Sequence, residues 1–591
     1  MAMPLVFPID VEWYVPSKTG DLGPDGSFRC ATWMSGKKLF GTKSFDKFKG
    51  IIESLPEKTE FIGHNLTGAE FDAFNRWGIP LPDRFSINDT MLASRLLEPQ
   101  TAAHDLKFLA KERGYYYSEE WANPDEDVCL EYCSKDTFMS RVLADEYADT
   151  LTPETARVLS FTNKLSRAFF AVECAGLKLD VQQLRNLEVS YGARLGDLLA
   201  RGVPPKPITD DREMRAILMK RYTKDLLIKK LGKTEDGQVQ VSAKLLERLP
   251  KLTVALKDLI EARRLNDYRT LYIKRPLEMA TPEGFIFPKY KILVAKTHRR
   301  STKPAIQNWP EEARKVIVSR FEGGKIVAGD YKNLEARLFA WQCGCKSFLE
   351  ALVEGGYLGI ADRCFGWKIA DKRDPKYKQL KSMILAVTYN VSPWLYAHNM
   401  TNDGVPKTMD DAERDFGMFF DMFPEIYDEL ESRKDYVWKH GKTKCSVPGV
   451  TLPVTILPDY VFQDERDYRR YCKRLENFAC NWPTQNLASY VTGAALVEIQ
   501  AAISGEQYGG YCNELHRMTK KGGISKSYAG YFPIAEVHDE LVFDSTSGTA
   551  AECQELMGGF MVNNPTLHSL VPGFNCPLDT SFTIGDCWEK G

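Results

Sequence analysis

The sequence predicts a multidomain α/β protein. Three observations predict this class: a length of 591 residues, a globular composition with 43% hydrophobic and 27% charged residues, and a pattern that changes along the chain. At typical domain sizes, this length corresponds to about three to five domains. The pattern changes from mixed α/β to helical near residue 151 and returns to mixed α/β after Pro276.

Composition and charge indicate which partners and which cellular compartment to expect. The formal net charge is −2, so any nucleic acid must be bound by local basic patches. We find no apolar run of the ~18 residues that a membrane span needs and no secretory signal pattern. The 14 cysteines lack zinc-site spacing, which favours free thiols in a reducing compartment. We therefore expect a cytoplasmic protein without a membrane partner.

Each segment has its own pattern. In the first 150 residues, VFPIDVEWYV predicts a buried strand, and helices are predicted at 45–55, 70–77, 105–112 and 124–147. The next segment is charged and helical, as in IEARRLNDYRTLYI. Later, FEGGKIVAGD predicts a turn and a buried strand, a helix-rich block follows, and PIAEVHDELVFD predicts two short strands around a polar turn.

Two acidic strand ends lie far apart in the sequence. Asp330 ends the strand of KIVAGD, and His538, Asp539 and Glu540 interrupt an apolar strand pattern. Placed on one sheet, these carboxylates would hold two Mg²⁺ ions roughly 4 Å apart, as phosphoryl transfer to a 3′-hydroxyl requires. Either motif alone fits a solvated acidic turn equally well, so the prediction depends on their combination.

A helix between these strands carries a cationic stripe. Lys381, Leu385 and Tyr389 follow one another at intervals of four, and Lys378 lies three residues before Lys381. The lysines suit the phosphates of a nucleoside triphosphate, and the apolar and aromatic side chains suit its sugar and base. Taken alone, the stripe also fits an amphipathic helix with a solvated basic edge.

The N-terminal segment carries a second set of acids. Asp10 and Glu12 are two residues apart in an apolar strand, so both side chains lie on the same face. Two carboxylates there are unfavourable unless a metal ion compensates their charges. Asp72 follows downstream, and Tyr132 and Asp136 lie four apart on one helical face. Such a set would bind two metals and orient a water for phosphodiester hydrolysis. Each piece alone also fits surface carboxylates.

Six motifs in order resemble those of DNA polymerase family A, the DNA polymerase I family, in its large-fragment form. They are THRRSTKPAIQNWP, GDYKNLEAR, KSMILAVTYN, NFACNWPTQNLAS, VHDELVF and the closing FTIGDCWEKG. The resemblance implies an RNase H-like exonuclease domain followed by a right-hand polymerase. The implied boundaries are 1–150 for the exonuclease domain, 151–285 for the thumb, 286–345 and 476–591 for the palm, and 346–475 for the fingers.

The resemblance also implies roles for individual residues. Asp330, Asp539 and the carbonyl group of Tyr331 would ligate the catalytic metals, with Glu540 beside them in an accessory role. Glu335 would pack near Tyr389 and exclude a ribose 2′-hydroxyl. The implied DNA contacts are Arg299, Arg337, Asn481, Gln485 and His538.

Several positions depart from the family pattern. Tyr377 stands where the family has Arg, Leu385 where it has an aromatic residue, and Asn390 where it has Gly. Asn477 stands where the palm helix often has Arg. One hypothesis is altered purine selection, for example in copying a modified-base genome. The short THRRS stretch also leaves open which of its two arginines takes the family role.

The N-terminal acids, in their order, resemble a DEDDy proofreading exonuclease. All carboxylates are present, so we expect an active exonuclease. The second motif is longer than in the family between Asn65 and Asp72, which we interpret as a loop insertion because Phe71 keeps the aromatic–Asp pair. Glu70 is the less favoured alternative.

The expected function is template-directed DNA polymerisation on a primer 3′-hydroxyl from deoxynucleoside triphosphates, by two-metal nucleotidyl transfer with 3′–5′ proofreading. The expected cofactor is Mg²⁺, two ions at each site, with Mn²⁺ as the alternative. We expect a monomer that binds primer–template DNA. The compact chain resembles phage replicative enzymes, which would place it in a host cytoplasm.

Three rival functions use the same fold. A single-subunit RNA polymerase is disfavoured by Glu335 beside Tyr389, and ribonucleotide use would support it. A dedicated exonuclease would not need Asp330 and Asp539. A non-catalytic DNA-binding module would not carry two sets of acids, because carboxylates repel DNA unless metals intervene.

Overall fold

The computed structural model describes most of the chain. The described residues are 5–13, 28–116, 125–234, 236–370, 373–402, 404–521 and 530–589. The start of the helix expected over 124–147 and the end of the first predicted strand lie partly outside them.

The N-terminal unit is a five-stranded sheet with helices packed on it. Its elements are β1 (Leu5–Trp13), β2 (Phe28–Ser35), β3 (Lys38–Thr42), α1 (Phe45–Glu53), β4 (Thr59–Gly63), α2 (Glu70–Trp77), β5 (Ser86–Asp89), α3 (Thr90–Leu97), α4 (Leu106–Glu112) and α5 (Glu126–Thr150). The strand order is β3-β2-β1-β4-β5. The structure therefore contains the α/β unit that the pattern predicts.

Strand β1 lies at the centre of this sheet and separates apolar from acidic side chains. Phe7, Ile9 and Val11 are buried in the core, and the alternate residues Asp10 and Glu12 point to the other face. Helix α5 packs on β1 and β2. The acidic face of β1 therefore lies under a helix that can bring further side chains to it.

The middle of the chain is mainly helical, as predicted. Its elements are α6 (Pro153–Ala175), β6 (Leu177–Lys178), α7 (Val181–Ala200), α8 (Lys206–Thr209), α9 (Asp211–Met219), α10 (Lys224–Leu231), α11 (Ala243–Leu246), α12 (Val254–Tyr268), a π-helical segment (Arg269–Lys274), α13 (Arg275–Met279), β7 (Phe285–Ile286), β8 (Lys289–Lys291) and β9 (Ser301–Lys303). The helices from the end of α7 to α12 enclose a core of their own. Helix α6 instead packs against the C-terminal part of the chain.

The C-terminal part combines a second sheet with a helical block. Its elements are a 3₁₀ turn (Ile306–Asn308), α14 (Glu311–Arg314), β10 (Lys325–Tyr331), α15 (Leu334–Gln342), α16 (Lys346–Phe365), α17 (Pro375–Thr388), α18 (Pro393–Asn402), α19 (Met409–Met422), α20 (Pro424–His440), a 3₁₀ turn (Asp459–Val461), α21 (Glu465–Ser504), α22 (Tyr508–Lys521), β11 (Tyr531–Val537), β12 (Glu540–Ser545), α23 (Ala550–Val562), α24 (Pro565–Leu570) and β13 (Thr580–Gly585). The second sheet has the order β11-β12-β10-β13, with antiparallel neighbours. Helices α16 to α20 confirm the predicted helix-rich block.

Helix α21 is 40 residues long and satisfies the length and hydropathy of a membrane span, with a mean hydropathy of 1.3 in its most apolar window. Sequence inspection overlooked this window because small polar residues interrupt it. In the structure, 78% of the window is buried inside the protein. The helix therefore serves as a core helix, and it packs against α6, α15, α20, α23 and α24.

Candidate active sites

The second sheet brings the two acidic strand ends together. In the antiparallel register of β10 and β12, Asp330 lies opposite Glu540, and Asp539 lies in the tight turn between β11 and β12. The backbone N–H of Tyr331 donates to the carbonyl oxygen of Asp539 at 3.4 Å. Asp330 and Asp539, 209 positions apart, thus meet at one end of the sheet. Carboxylate and carbonyl oxygens are the donor set that Mg²⁺ prefers, so these residues fit a magnesium site.

The carboxylate of Glu540 is buried and bound within the protein. Its carboxylate accepts from Arg314 Nη1 at 3.1 Å and from Trp588 Nε1 at 3.0 Å, and the residue is buried. Because these contacts engage both of its oxygens, Glu540 anchors the C-terminal segment. The expected accessory role of Glu540 at the metal site stays a prediction.

The cationic stripe lies on the less buried face of α17. Lys378 and Lys381 are exposed, and Leu385 and Tyr389 are half-buried. The opposite face of the helix packs into the core of the helical block. The stripe is therefore accessible to a ligand in the position that the spacing predicts.

Tyr389 connects this stripe to the second sheet. Its hydroxyl group donates to the carboxylate of Glu335, which also pairs with Arg299. The side chain of Gln485 lies close to the hydroxyl group of Tyr389 as well. Burial, followed by the charge of Glu335, raises the pKa of Tyr389. The contact between Glu335 and Tyr389 is the one that the sequence motif implies.

The same region contains a cleft of about 230 Å³ beside Asp539. Arg299, Glu335 and His538 line it. His538 has a positive φ of 60° in the turn. Three residues expected to contact DNA or nucleotide thus share one cleft with a predicted metal ligand.

The structure distinguishes the two arginines of THRRS. Arg300 is buried, pairs with Glu536 and donates to the carbonyl oxygen of Ser489 at 2.6 Å. Burial, followed by the charge of Arg299, lowers the pKa of Arg300 to about 9. Both arginines line the cleft, but Arg299 is the more exposed of the two, with 32% of its side chain accessible. This difference in exposure favours Arg299 as the residue that a ligand reaches, and its role stays a prediction.

The other residues expected to contact DNA differ in exposure. Asn481 and Gln485 are half-buried on α21, and Asn481 Oδ1 has no hydrogen-bond partner within the described part of the chain. Arg337 is engaged internally: it donates to the carbonyl oxygen of Pro577 at 2.9 Å and lies 3.8 Å from Asp579. Only 4% of the Arg337 side chain is exposed, so its primer contact stays a prediction.

Two of the departures from the family pattern touch each other. The side-chain amides of Asn390 and Asn477 lie 3.0 Å apart. Asn390 has a positive φ of 52°, a conformation that Asn tolerates better than most residues. Tyr377 also has an aromatic partner, Tyr357, at a centroid distance of 6.2 Å. Sequence analysis missed Tyr357, because a single tyrosine in a helix carries no signal.

The first sheet forms a carboxylate cluster made of Asp10, Glu12 and Asp136, whose ligand atoms lie within 4.8 Å of one another. Burial raises the pKa of Asp10, and the charge of Asp136 raises it further. Asp10 Oδ2 is buried and has no hydrogen-bond partner in the described structure. Mutually repelling carboxylates of this kind are typical of a cation site. The residues therefore fit a divalent metal.

Tyr132 lies beside this carboxylate cluster. Its ring is buried, and Lys107 Nζ lies 4.4 Å from the ring centroid and 3.4 Å from Asp136. Burial, followed by the charge of Asp136, raises the pKa of Tyr132. The tyrosine thus carries a protonated hydroxyl group next to the acids. Lys107 is a cation at this site that sequence analysis missed.

Asp72 does not join the carboxylate cluster. Lys289 Nζ and Arg76 Nη2 each lie 2.7 Å from its carboxylate. Burial opposes its charge, but these two cations lower the pKa of Asp72 below its ordinary value. These contacts do not favour Asp72 as a metal ligand, because its oxygens are held by cations of the protein, and that assignment stays a prediction. The charge of Asp10 acts on the other acid of α2, Glu70.

Comparison with known proteins finds similar sequences over most of the chain. A family model described as DNA polymerase family A matches residues 207–590. DNA polymerase I of Chloroflexus aurantiacus is 22% identical over 85% of this chain and 52% of its own length. DNA polymerase I of Aquifex aeolicus is 24% identical over 91% of this chain and 89% of its own.

A solved structure shares the fold. The polymerase domain of Pol1 from M. smegmatis, in complex with DNA primer-template and dNTP, has a TM-score of 0.75 and 19% identity, covering 99% of this chain and 96% of that one. The chain spans little more than half the length of the first curated relatives that it matches, between 52% and 58%.

Proposed function

The chain belongs to DNA polymerase family A, and on that basis we propose that it is a template-directed DNA polymerase with a 3′–5′ proofreading exonuclease. It extends a primer 3′-hydroxyl with deoxynucleoside triphosphates at the second sheet and removes mispaired termini at the first. One observation carries the proposal: two separate sheets each bring acidic residues together, Asp330 with Asp539 through the strand pairing and Asp10 with Glu12 and Asp136 in the carboxylate cluster.

Mg²⁺, or Mn²⁺ in its place, is the proposed cofactor at both sites. Asp330, Asp539 and the carbonyl group of Tyr331 would hold it at the second sheet, and the carboxylate cluster would hold it at the first. A divalent ion held by these residues would supply Lewis acidity to the attacking hydroxyl or water and would offset phosphate charge.

The side chains around the second sheet bind and orient the substrates in this proposal. Lys378 and Lys381 pair with the triphosphate, and Leu385 packs on the sugar and base. Tyr389 packs under the sugar, and Glu335, which accepts a hydrogen bond from Tyr389, excludes a 2′-hydroxyl. The proposed contacts to primer–template DNA are Arg299, Arg337, Asn481, Gln485 and His538.

The proposed exonuclease chemistry uses the tyrosine beside the carboxylate cluster. The hydroxyl group of Tyr132 is protonated at neutral pH, since the ordinary pKa of tyrosine is about 10 and burial and Asp136 raise its pKa further. It can donate a hydrogen bond to the attacking water or to the phosphate. A replicative role in a phage, action as a monomer and a cytoplasmic location remain predictions.

Primer extension and primer degradation in the presence of Mg²⁺ test both activities. We expect the wild-type protein to extend a primed template when deoxynucleotides are supplied and to shorten the primer when they are omitted. Asp539→Ala should lose extension and keep degradation, and Asp10→Ala should do the reverse.

Two results would contradict the proposal. Normal extension by Asp539→Ala would show that the second sheet is not the polymerase site. Normal degradation by Asp10→Ala would show that the carboxylate cluster is not the nuclease site. Circular dichroism and DNA binding of both variants serve as controls for folding.

A further inference from the structure

Helix α2 presents two acids in contrasting surroundings. Glu70 and Asp72 both lie in its first turn, and a separation of two residues directs them to different sides of the helix. Asp72 is held by Lys289 and Arg76. Glu70 is only 2% exposed, and its Oε2 atom has no hydrogen-bond partner within the described ranges.

The neighbours of Glu70 make its burial costly. Burial raises the pKa of Glu70, and the charge of Asp10 and, more weakly, those of Asp89 and Glu12 raise it further. A buried carboxylate facing other carboxylates is unfavourable unless a cation compensates the charge. Asp10 Oδ2, in the carboxylate cluster, is also buried without a partner. Glu70 and Asp10, whose charges act on each other, thus each carry a buried carboxylate oxygen without a hydrogen-bond partner in the described structure.

The loop before α2 holds Glu70 in this position. The carboxylate of Asp89 accepts from the backbone N–H groups of Asn65 at 3.0 Å and Leu66 at 2.8 Å. Asn65 has a positive φ of 68°, and the backbone N–H of Phe71 donates to the carbonyl oxygen of Leu66 at 3.0 Å. The loop is thus closed on itself, and α2 starts at Glu70 directly after it.

We propose that Glu70 is the fourth carboxylate of the cluster and ligates a divalent cation there, and that Asp72 instead fastens the exonuclease domain to the rest of the protein. The proposal rests on the proposed exonuclease function. Its ligand is a hard divalent cation, Mg²⁺ or Mn²⁺, because all donors are carboxylate oxygens.

Asp72 has the contacts of a structural link. Lys289, on β8, lies 2.7 Å from Asp72 and 3.1 Å from Glu173 on α6. Glu173 also accepts from the backbone N–H of Tyr290 at 2.7 Å. The three charges join α2 to α6 and β8, so Asp72 is already neutralised without a metal.

Mn²⁺ binding to the full chain tests this assignment directly. In an Asp539→Ala background, which removes a ligand of the second site, Mn²⁺ titration followed by electron paramagnetic resonance reports the carboxylate cluster. We expect Glu70→Gln to weaken this binding at least about tenfold, since even the loss of an outer-shell partner costs 10–100-fold. Glu70→Gln should also abolish primer degradation.

Asp72→Asn is the matched comparison, since it neutralises an acid on the same helical turn. We expect its Mn²⁺ affinity and degradation rate to stay within about twofold of the background, with a lower melting temperature. Glu70→Asp keeps the charge on a shorter side chain and should retain part of the metal binding. Glu70→Gln should not lower the melting temperature measured without metal, because it removes a buried uncompensated charge.

The outcomes separate this assignment from the exonuclease proposal. If Asp10→Asn loses Mn²⁺ binding and degradation while Glu70→Gln keeps both, the assignment of Glu70 is overturned and the exonuclease proposal stands. Loss of Mn²⁺ binding in Asp72→Asn with retention in Glu70→Gln overturns it as well. If Asp10→Asn changes neither readout, the exonuclease proposal itself fails.

Discussion

The hydroxyl group of Tyr389, at the end of α17, donates a hydrogen bond to the carboxylate of Glu335 on α15. This contact joins the helix with the cationic stripe to the helix that follows β10. Glu335 also pairs with Arg299. One half-buried carboxylate thus links three segments that surround the cleft beside Asp539.

Substitution of Glu335 tests its role in sugar selection. We expect Glu335→Ala to raise the efficiency of ribonucleotide relative to deoxynucleotide incorporation by at least about tenfold, because the space for a 2′-hydroxyl is no longer filled. Single-nucleotide incorporation kinetics measure the ratio. Glu335→Gln, which keeps the volume, is the control and should change the ratio less. If Glu335→Ala leaves the ratio of ribonucleotide to deoxynucleotide incorporation unchanged, Glu335 does not select the sugar.

We expect Lys381 to bind the triphosphate of the incoming deoxynucleotide. Loss of a charge-assisted hydrogen bond costs about 1.5–3 kcal/mol, so Lys381→Ala should lower kcat/KM for deoxynucleotides by roughly 10- to 100-fold. Lys368→Ala removes an exposed lysine outside α17 and should have little effect. Equal losses in both variants would indicate a general effect of charge rather than a specific contact.

The buried pair of Arg300 and Glu536 should stabilise the fold only as a pair. Removing one partner leaves an uncompensated buried charge, and we expect Arg300→Met or Glu536→Gln each to lower the free energy of unfolding by about 3–5 kcal/mol. Denaturant titration measures this loss. The double variant should lose less than the sum of the two single losses.

The neighbouring Arg299 provides the control for that pair. Its side chain is 32% exposed, and exposed ion pairs contribute little, so Arg299→Met should cost no more than about 1 kcal/mol. A similar cost for Arg299→Met and Arg300→Met would show that burial does not distinguish the two arginines.

The contact between Asn390 and Asn477 should show up as an energetic coupling. A double-mutant cycle of Asn390→Ala and Asn477→Ala is expected to give an interaction energy of about 0.5–1.5 kcal/mol in unfolding. Alanine is strained at the positive φ of residue 390, but this strain is present in both Asn390→Ala and the double variant. It therefore cancels from the interaction energy. Asn390→Ala combined with the distant, exposed Asn186→Ala should be additive. Zero coupling between Asn390 and Asn477 would mean that the two departures are independent.

The sequence by itself determined the class, the family motifs and many of the site positions. Alternation in β1 was enough to place Asp10 and Glu12 on one face, since a strand has a period of two. Spacing of four was enough to align Lys381 with Tyr389 on α17. These inferences succeeded because they depend on local geometry.

Only the tertiary structure showed what the two acids of α2 and Glu540 contact. The sequence favoured Asp72 over Glu70 because of the Phe71–Asp72 pair, and no local pattern could show that Lys289, 217 positions away, would bind the carboxylate of Asp72. Arg299 and Arg300 were indistinguishable in sequence for the same reason. Long-range partners depend on how distant segments pack, which no local pattern encodes.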